Sequence, residues 1–85
     1  MIAVPGRVCH RRLVLQPGEL LLVEPAEWVD TLVVVLRGEL ELTCHSGRRA
    51  SFAAEAVLTL DGMPVRTLCN PGAEELILHL VRRDR

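Results

Sequence analysis

Glycine and proline interrupt this chain so regularly that no apolar segment has room for more than a short strand. Pro17-Gly18, Pro25, Gly38, Gly47, Gly62 with Pro64, and Pro71-Gly72 divide it into pieces. Glycine accepts the positive φ of turns, while proline fixes φ and removes a backbone donor, so both stop regular structure. The pieces read RVCHRRLVL (Arg7–Leu15), ELLLVE (Glu19–Glu24), TLVVVL (Thr31–Leu36), ELELTCH (Glu39–His45), RRASF, AVLTL, PVRTLCN and EELILHLVRR. The valine and leucine content of TLVVVL suits a strand better than a helix. Short strands with turn signals about every 8–12 residues predict an all-β sandwich or barrel. SFAAEA has room for one helical turn but is too short to stand as an isolated helix.

Alternation assigns faces in one of these strands. In ELELTCH, Glu39, Glu41, Thr43 and His45 share one side, and Leu40, Leu42 and Cys44 the other. That strand has one wet face. ELLLVE and TLVVVL do not alternate and are apolar on both faces. In a small antiparallel protein, such strands call for a second covering surface. A homodimer interface is its simplest source. The apolar fraction of 49% in 85 residues points the same way, since a chain this size buries only about 60% of its unfolded surface.

Residues 1–85 make one domain, with no room for a second. The formal charge is −1, and all ten basic residues are arginines interleaved with acids, so no basic stripe forms. One Phe, one Trp and no Tyr leave no platform for stacking bases, which argues against nucleic acid. MIAVPGRVCHRR lacks an apolar stretch of signal-peptide length, and charged residues break every apolar block well short of a membrane span. Three cysteines without paired spacing make no disulfide framework. The expectation is a soluble, reduced, cytoplasmic protein.

The spacing of these pieces resembles the cupin family, small jelly-roll β-barrels that carry two motifs. The first runs Gly, five residues, His, one, His, three or four, Glu, six, Gly. The second runs Gly, five, Pro, one, Gly, two, His, three, Asn. Gly18 and Gly38 stand at the first motif's two glycine positions, and VVVLRGELEL is similar to the strand and hairpin around its closing glycine. The second motif maps onto AEAVLTLDGMPVRTLCN, with Gly62 as its internal glycine and Asn70 as its closing Asn one residue late. Fifteen residues, Glu39 to Ala53, separate the motifs, and EELILHLVRR resembles the family's last strand. The resemblance implies an all-β, cupin-like jelly-roll barrel over nearly the whole chain.

The ligand positions depart from the family's pattern. Counted from the glycines, the two His positions fall on Glu24 and Ala26, and the Glu position on Thr31; the shorter spacing puts Pro25 and Glu27 at the His positions. The second motif's His falls on Val65 or Arg66. A divalent metal needs three or four converging imidazole or carboxylate ligands, and no assignment supplies more than one. No metal at the usual cupin site and no cofactor are expected. The metal-dependent chemistries that the family implies lose their support with the ligands.

Other residues invite chemistry. Cys9-His10 and Cys44-His45, with Cys69 and His79, suggest zinc, but strand neighbours point to opposite faces and the short ligand spacings are missing. The cysteines read as small core residues. His10 in its arginine-rich strand and His45 beside a turn read as solvated. GRRASFAAEAV is compared with the phosphate cradle of cyclic-nucleotide-binding domains, a Phe-Gly-Glu turn with a downstream Arg. Here Phe52 leads to Ala53, Ala54 and Glu55, and the arginines come first, so the cradle is not formed.

Four residues remain as candidate ligand contacts for a small apolar or weakly anionic molecule in the barrel: Glu27, Trp28, Arg66 and His79. Trp28 either lines the barrel mouth, plugs its end or sits in a dimer contact. The expected role is a binding or structural module. The alternative is a metal-free isomerase, with His79 or Glu27 as base and Arg66 as anion contact. That reading requires these side chains to converge in one pocket.

Overall fold

A computed structural model describes residues 7–84. Eight strands follow one another: β1 (Arg7–Leu15), β2 (Leu20–Leu22), β3 (Thr31–Arg37), β4 (Leu40–Cys44), β5 (Arg49–Phe52), β6 (Val57–Thr59), β7 (Val65–Cys69) and β8 (Leu76–Asp84). One 3-10 turn, Pro25–Trp28, lies between β2 and β3. It starts where proline sits at the head of the turn, which suits a ring with no N–H to donate. SFAAEA forms the end of β5 and a turn, so the helical turn of this chain lies elsewhere.

The strand pairing explains the architecture. β4 with β5, β3 with β6, β2 with β7, and β1 with β8 are all antiparallel, so the chain is one long hairpin whose tip is the Ser46-Gly47 turn. This ribbon then coils until β3 also pairs with β8 and β4 with β7. The result is two four-stranded sheets, β1-β8-β3-β6 and β2-β7-β4-β5, the jelly-roll arrangement.

Alternation now fixes the faces. Val33, Val35, Leu76 and Leu78 from the first sheet meet Leu40, Leu42 and Leu68 from the second, all essentially inaccessible to solvent. Each such side chain contributes on the order of 1.5–3 kcal/mol through burial. β4 has its leucines inward with Glu41 and Thr43 on the other side, as its alternation predicted. β2 is shorter than ELLLVE suggested, and Leu20 and Leu22 are 58% and 70% exposed. Among the described residues no helix is long and apolar enough to cross a membrane.

Two connections hold the barrel closed. Gly38 has φ +85°, and a Cβ built there would lie 2.7 Å from the Glu75 carbonyl oxygen, so the β3–β4 turn passes against the start of β8. Asn70, fully buried after β7, donates through Nδ2 to the Leu15 and Glu74 carbonyls at 2.9 and 2.8 Å. Its Oδ1 accepts from the Gly72 amide at 3.0 Å. One side chain thus ties the end of β1 to the β7–β8 connection.

Candidate functional site at the barrel mouth

The leucine and valine packing fills the barrel body, and open space is left at the end where Trp28 sits. The Pro25–Trp28 turn carries the indole inward, leaving it 5% exposed. A cleft of about 220 Å³ lies on one side, lined by Cys9, Arg11, Glu27, Thr31, Leu80 and Arg82 together with Trp28. A smaller cleft of about 140 Å³ lies on the other, with Val23, Leu60, Met63 and Val65 among its walls. Trp28 therefore plugs the barrel end and lends surface to both clefts.

The register explains the larger cleft. Across β1, β8 and β3, Arg11 pairs with Leu80 and Leu80 with Val33, while Cys9 pairs with Arg82 and Arg82 with Thr31. Opposed residues share a face, so Arg11 and Arg82 lie on the inner side of the sheet with Leu78 and Leu80. They are diagonal neighbours, about 7–8 Å apart at the backbone, close enough for two long side chains to address one group. The Arg11 side chain makes no hydrogen bond or ion pair among the described residues. Thr31 donates its hydroxyl to the Val29 carbonyl at 3.1 Å, which leaves its oxygen as an acceptor. Glu27 is exposed at the rim.

Glu27 and Trp28 thus share a cleft, as the sequence reading expected, but Arg66 and His79 are absent from it. Arg66 is the extra residue of a bulge, because Thr43 pairs with Thr67 and Cys44 with Val65. It is exposed, and its carbonyl accepts the Val23 amide at 2.9 Å. His79 alternates with the buried Leu78 and Leu80 and so faces out of the barrel. There its Nε2 lies 3.0 Å from Nδ1 of His10, with the ring centroids 5.1 Å apart. One ring donates and the other accepts, which requires at least one of them to be neutral. His10 is exposed, but it is partnered rather than merely solvated.

These placements separate the acid–base set of the isomerase reading, since His79 lies on the far side of the sheet from Glu27 and Arg66 lies in neither cleft. The cysteines do not converge either. Cys9 lines the cleft, Cys44 packs against the core, and Cys69 pairs with the outward Glu41. Cys44 and Cys69 are free thiols, and of the three only Cys44 packs against the core as expected of them.

The metal ligand set of the motifs was tested against the same geometry. Thr31, at the Glu position, lines the larger cleft with Trp28; of the two candidates for the second motif's His position, Val65 lines the smaller cleft and Arg66 lines neither. A single hydroxyl oxygen and a valine methyl do not supply the three or four imidazole or carboxylate ligands that a divalent cation needs. Among the described residues no three His, Cys, Asp or Glu side chains are grouped so as to hold a metal ion. The donor set does not fit the family's metal.

Arg11 and Arg82 are the functional candidates that sequence reasoning missed. Their signal was available: Arg82 stands two and four residues from Leu80 and Leu78, on the face that a strand must turn inward.

No family model matches the chain, and no curated protein matches it. Solved structures do. The Cupin 2 domain of an XRE family transcriptional regulator from Enterobacter cloacae superposes with a TM-score of 0.72 at 24% identity, covering 96% of this chain and 92% of that one. A Cupin 2 conserved barrel domain protein from Salinispora arenicola gives a TM-score of 0.74 at 23% identity, covering 99% of this chain and 71% of that one. The chain has the cupin fold.

Proposed function

We propose that this cupin-fold domain is a small-molecule-binding module that takes a monocarboxylate with an apolar body in the cleft beside Trp28, without a metal at the motif positions. The observation that carries this reading is the cleft that the exposed Arg11 and Arg82 line together with Trp28 and Leu80. Guanidinium groups match carboxylates in planar, charge-assisted pairs, and the apolar floor favours a hydrocarbon or aromatic remainder. Glu27 at the rim disfavours a second negative charge on the ligand. A cleft of about 220 Å³ is smaller than a drug-sized site, so the ligand is small. A molecule of about ten heavy atoms, at roughly 0.5 kcal/mol per atom, would bind with a Kd of about 200 µM. The role proposed is binding rather than turnover.

Calorimetric titration with benzoate and with the isosteric neutral benzamide tests this. Benzoate should bind about tenfold or more tightly than benzamide, and Arg11→Met or Arg82→Met should abolish that preference while the unliganded protein melts within a few degrees of wild type. A chelator should leave benzoate binding unchanged. Equal binding of the two probes, no binding of either at millimolar concentration, or a preference that survives both arginine substitutions would overturn the reading.

A further inference from the structure

The cleft beside Trp28 carries charge of both signs. Arg11 on β1 and Arg82 on β8 line it from the sheet, and Glu27 lines it from the Pro25–Trp28 turn. Opposite charges in so small a space can close on one another, yet neither Glu27 nor Arg11 makes an ion pair among the described residues. The backbone holds their elements in place. The β1–β8 register sets Arg11 opposite Leu80 and Arg82 opposite Cys9. Glu27 belongs to a 3-10 turn that starts at Pro25, with its amide bonded to the Glu24 carbonyl at 2.9 Å. That turn is anchored by Trp28, which is 5% exposed, and beyond it the Asp30 amide donates to the Asp61 carboxylate at 3.2 Å. The negative charge thus comes from one element and the positive charges from two others, with an indole and a leucine in the same cleft.

We infer that the ligand of this cleft is an α-amino acid with an apolar side chain. Its carboxylate meets Arg11 and Arg82, its ammonium meets Glu27, and its side chain lies on Trp28 and Leu80. This rests on the reading of the cleft as a carboxylate site and adds a second charge to the ligand. A simple carboxylate satisfies the guanidinium groups but sets like charge against like at Glu27. An ammonium on the adjoining carbon removes that repulsion and gives the Glu27 carboxylate a charge-assisted partner. The size of the cleft selects the α arrangement. In about 220 Å³, two charges and an apolar body fit together only when both charges share one end of the molecule. Glu27 is then the residue that separates an amino acid from its deaminated analogue, because only the amino acid pairs it.

Calorimetric titration at neutral pH with leucine, with isocaproate, which lacks only the ammonium, and with isoamylamine, which lacks only the carboxylate, tests it. Leucine should bind about fivefold or more tightly than isocaproate, with isoamylamine the weakest of the three. Glu27→Gln should weaken leucine and strengthen isocaproate until the two agree within about twofold, a crossed change that misfolding does not produce. Arg11→Met should weaken both. Isocaproate binding as tightly as leucine, or a leucine preference that survives Glu27→Gln, would overturn the inference and leave the carboxylate reading standing. Tighter binding of ε-aminocaproate than of leucine would overturn the α arrangement. Absence of binding by both leucine and isocaproate would overturn the carboxylate reading and the inference together.

Discussion

Replacing Asn70 with alanine should lower stability by roughly 3–5 kcal/mol, a large part of what an 85-residue domain has. The side chain is inaccessible to solvent, and its amide closes three bonds, two donated to Leu15 and Glu74 and one accepted from Gly72. Truncation strands the buried Leu15 carbonyl and two part-buried groups, the Glu74 carbonyl and the Gly72 amide, at about 1–3 kcal/mol for each one left unsatisfied. The neighbouring backbone bonds, Gly18 N to Asn70 O at 2.9 Å and Asn70 N to Glu19 O at 3.1 Å, depend on the same placement. The melting temperature should fall by more than about 12 °C, given ~4–8 °C per kcal/mol for a domain of this size. A fall under about 4 °C would mean that Asn70 does not close the barrel.

The second large effect is expected at Gly38. Alanine there meets two difficulties at once. Its φ of +85° is one that side chains with a Cβ rarely adopt, and the added methyl would lie 2.7 Å from Glu75 O and 3.0 Å from Leu76 Cα. Both obstacles are backbone, so relief requires β3 and β8 to separate. Conformational strain of about 1–2 kcal/mol and overpacking of about 1–3 kcal/mol put the loss near ~3 kcal/mol. Gly18 is the internal control. Its φ is +83°, but nothing lies within 4 Å of an added Cβ, so Gly18→Ala should cost only about 1 kcal/mol. Chemical denaturation of the two variants side by side separates strain from collision, and equal losses would refute the steric account.

The strands were legible because glycine and proline mark their ends, and TLVVVL and PVRTLCN fall on β3 and β7 with little change. The inward face of β4 was legible because a single alternation of glutamate with leucine leaves one choice. β8 offered no such choice. In LILHLVRR both faces are largely apolar, and parity decides whether His79 looks into the barrel or out of it. β1 presents the adjacent Arg11 and Arg12, one of which must turn inward, and the sequence does not mark which. The bulge at Arg66 was hidden for the same reason, since one extra residue reverses every face beyond it.

The candidate site was legible in half. Trp28 and Glu27 stood out because the lone tryptophan follows a proline-led turn, and both are in the cleft. Arg11 and Arg82 come from strands far apart in sequence that the β1–β8 pairing joins, so no local pattern brings them together. The motif positions with backbone duties, Gly38 and Asn70, carry the residues those duties need. Of the positions that would hold a metal, only Glu24 or Glu27 carries a ligand-type side chain, beside Thr31 and Val65 or Arg66.

The central claim is that these two arginines and Trp28 receive a carboxylate. It is tested most directly by following the Arg11 and Arg82 side-chain Nε–H signals and the Trp28 Nε1–H signal in a proton–nitrogen correlation spectrum as benzoate is added. The account predicts that these three signals shift together along one saturable curve, while Arg66 and His79 stay in place. Shifts confined to Arg66 or His79, or spread evenly over the surface arginines, would contradict it.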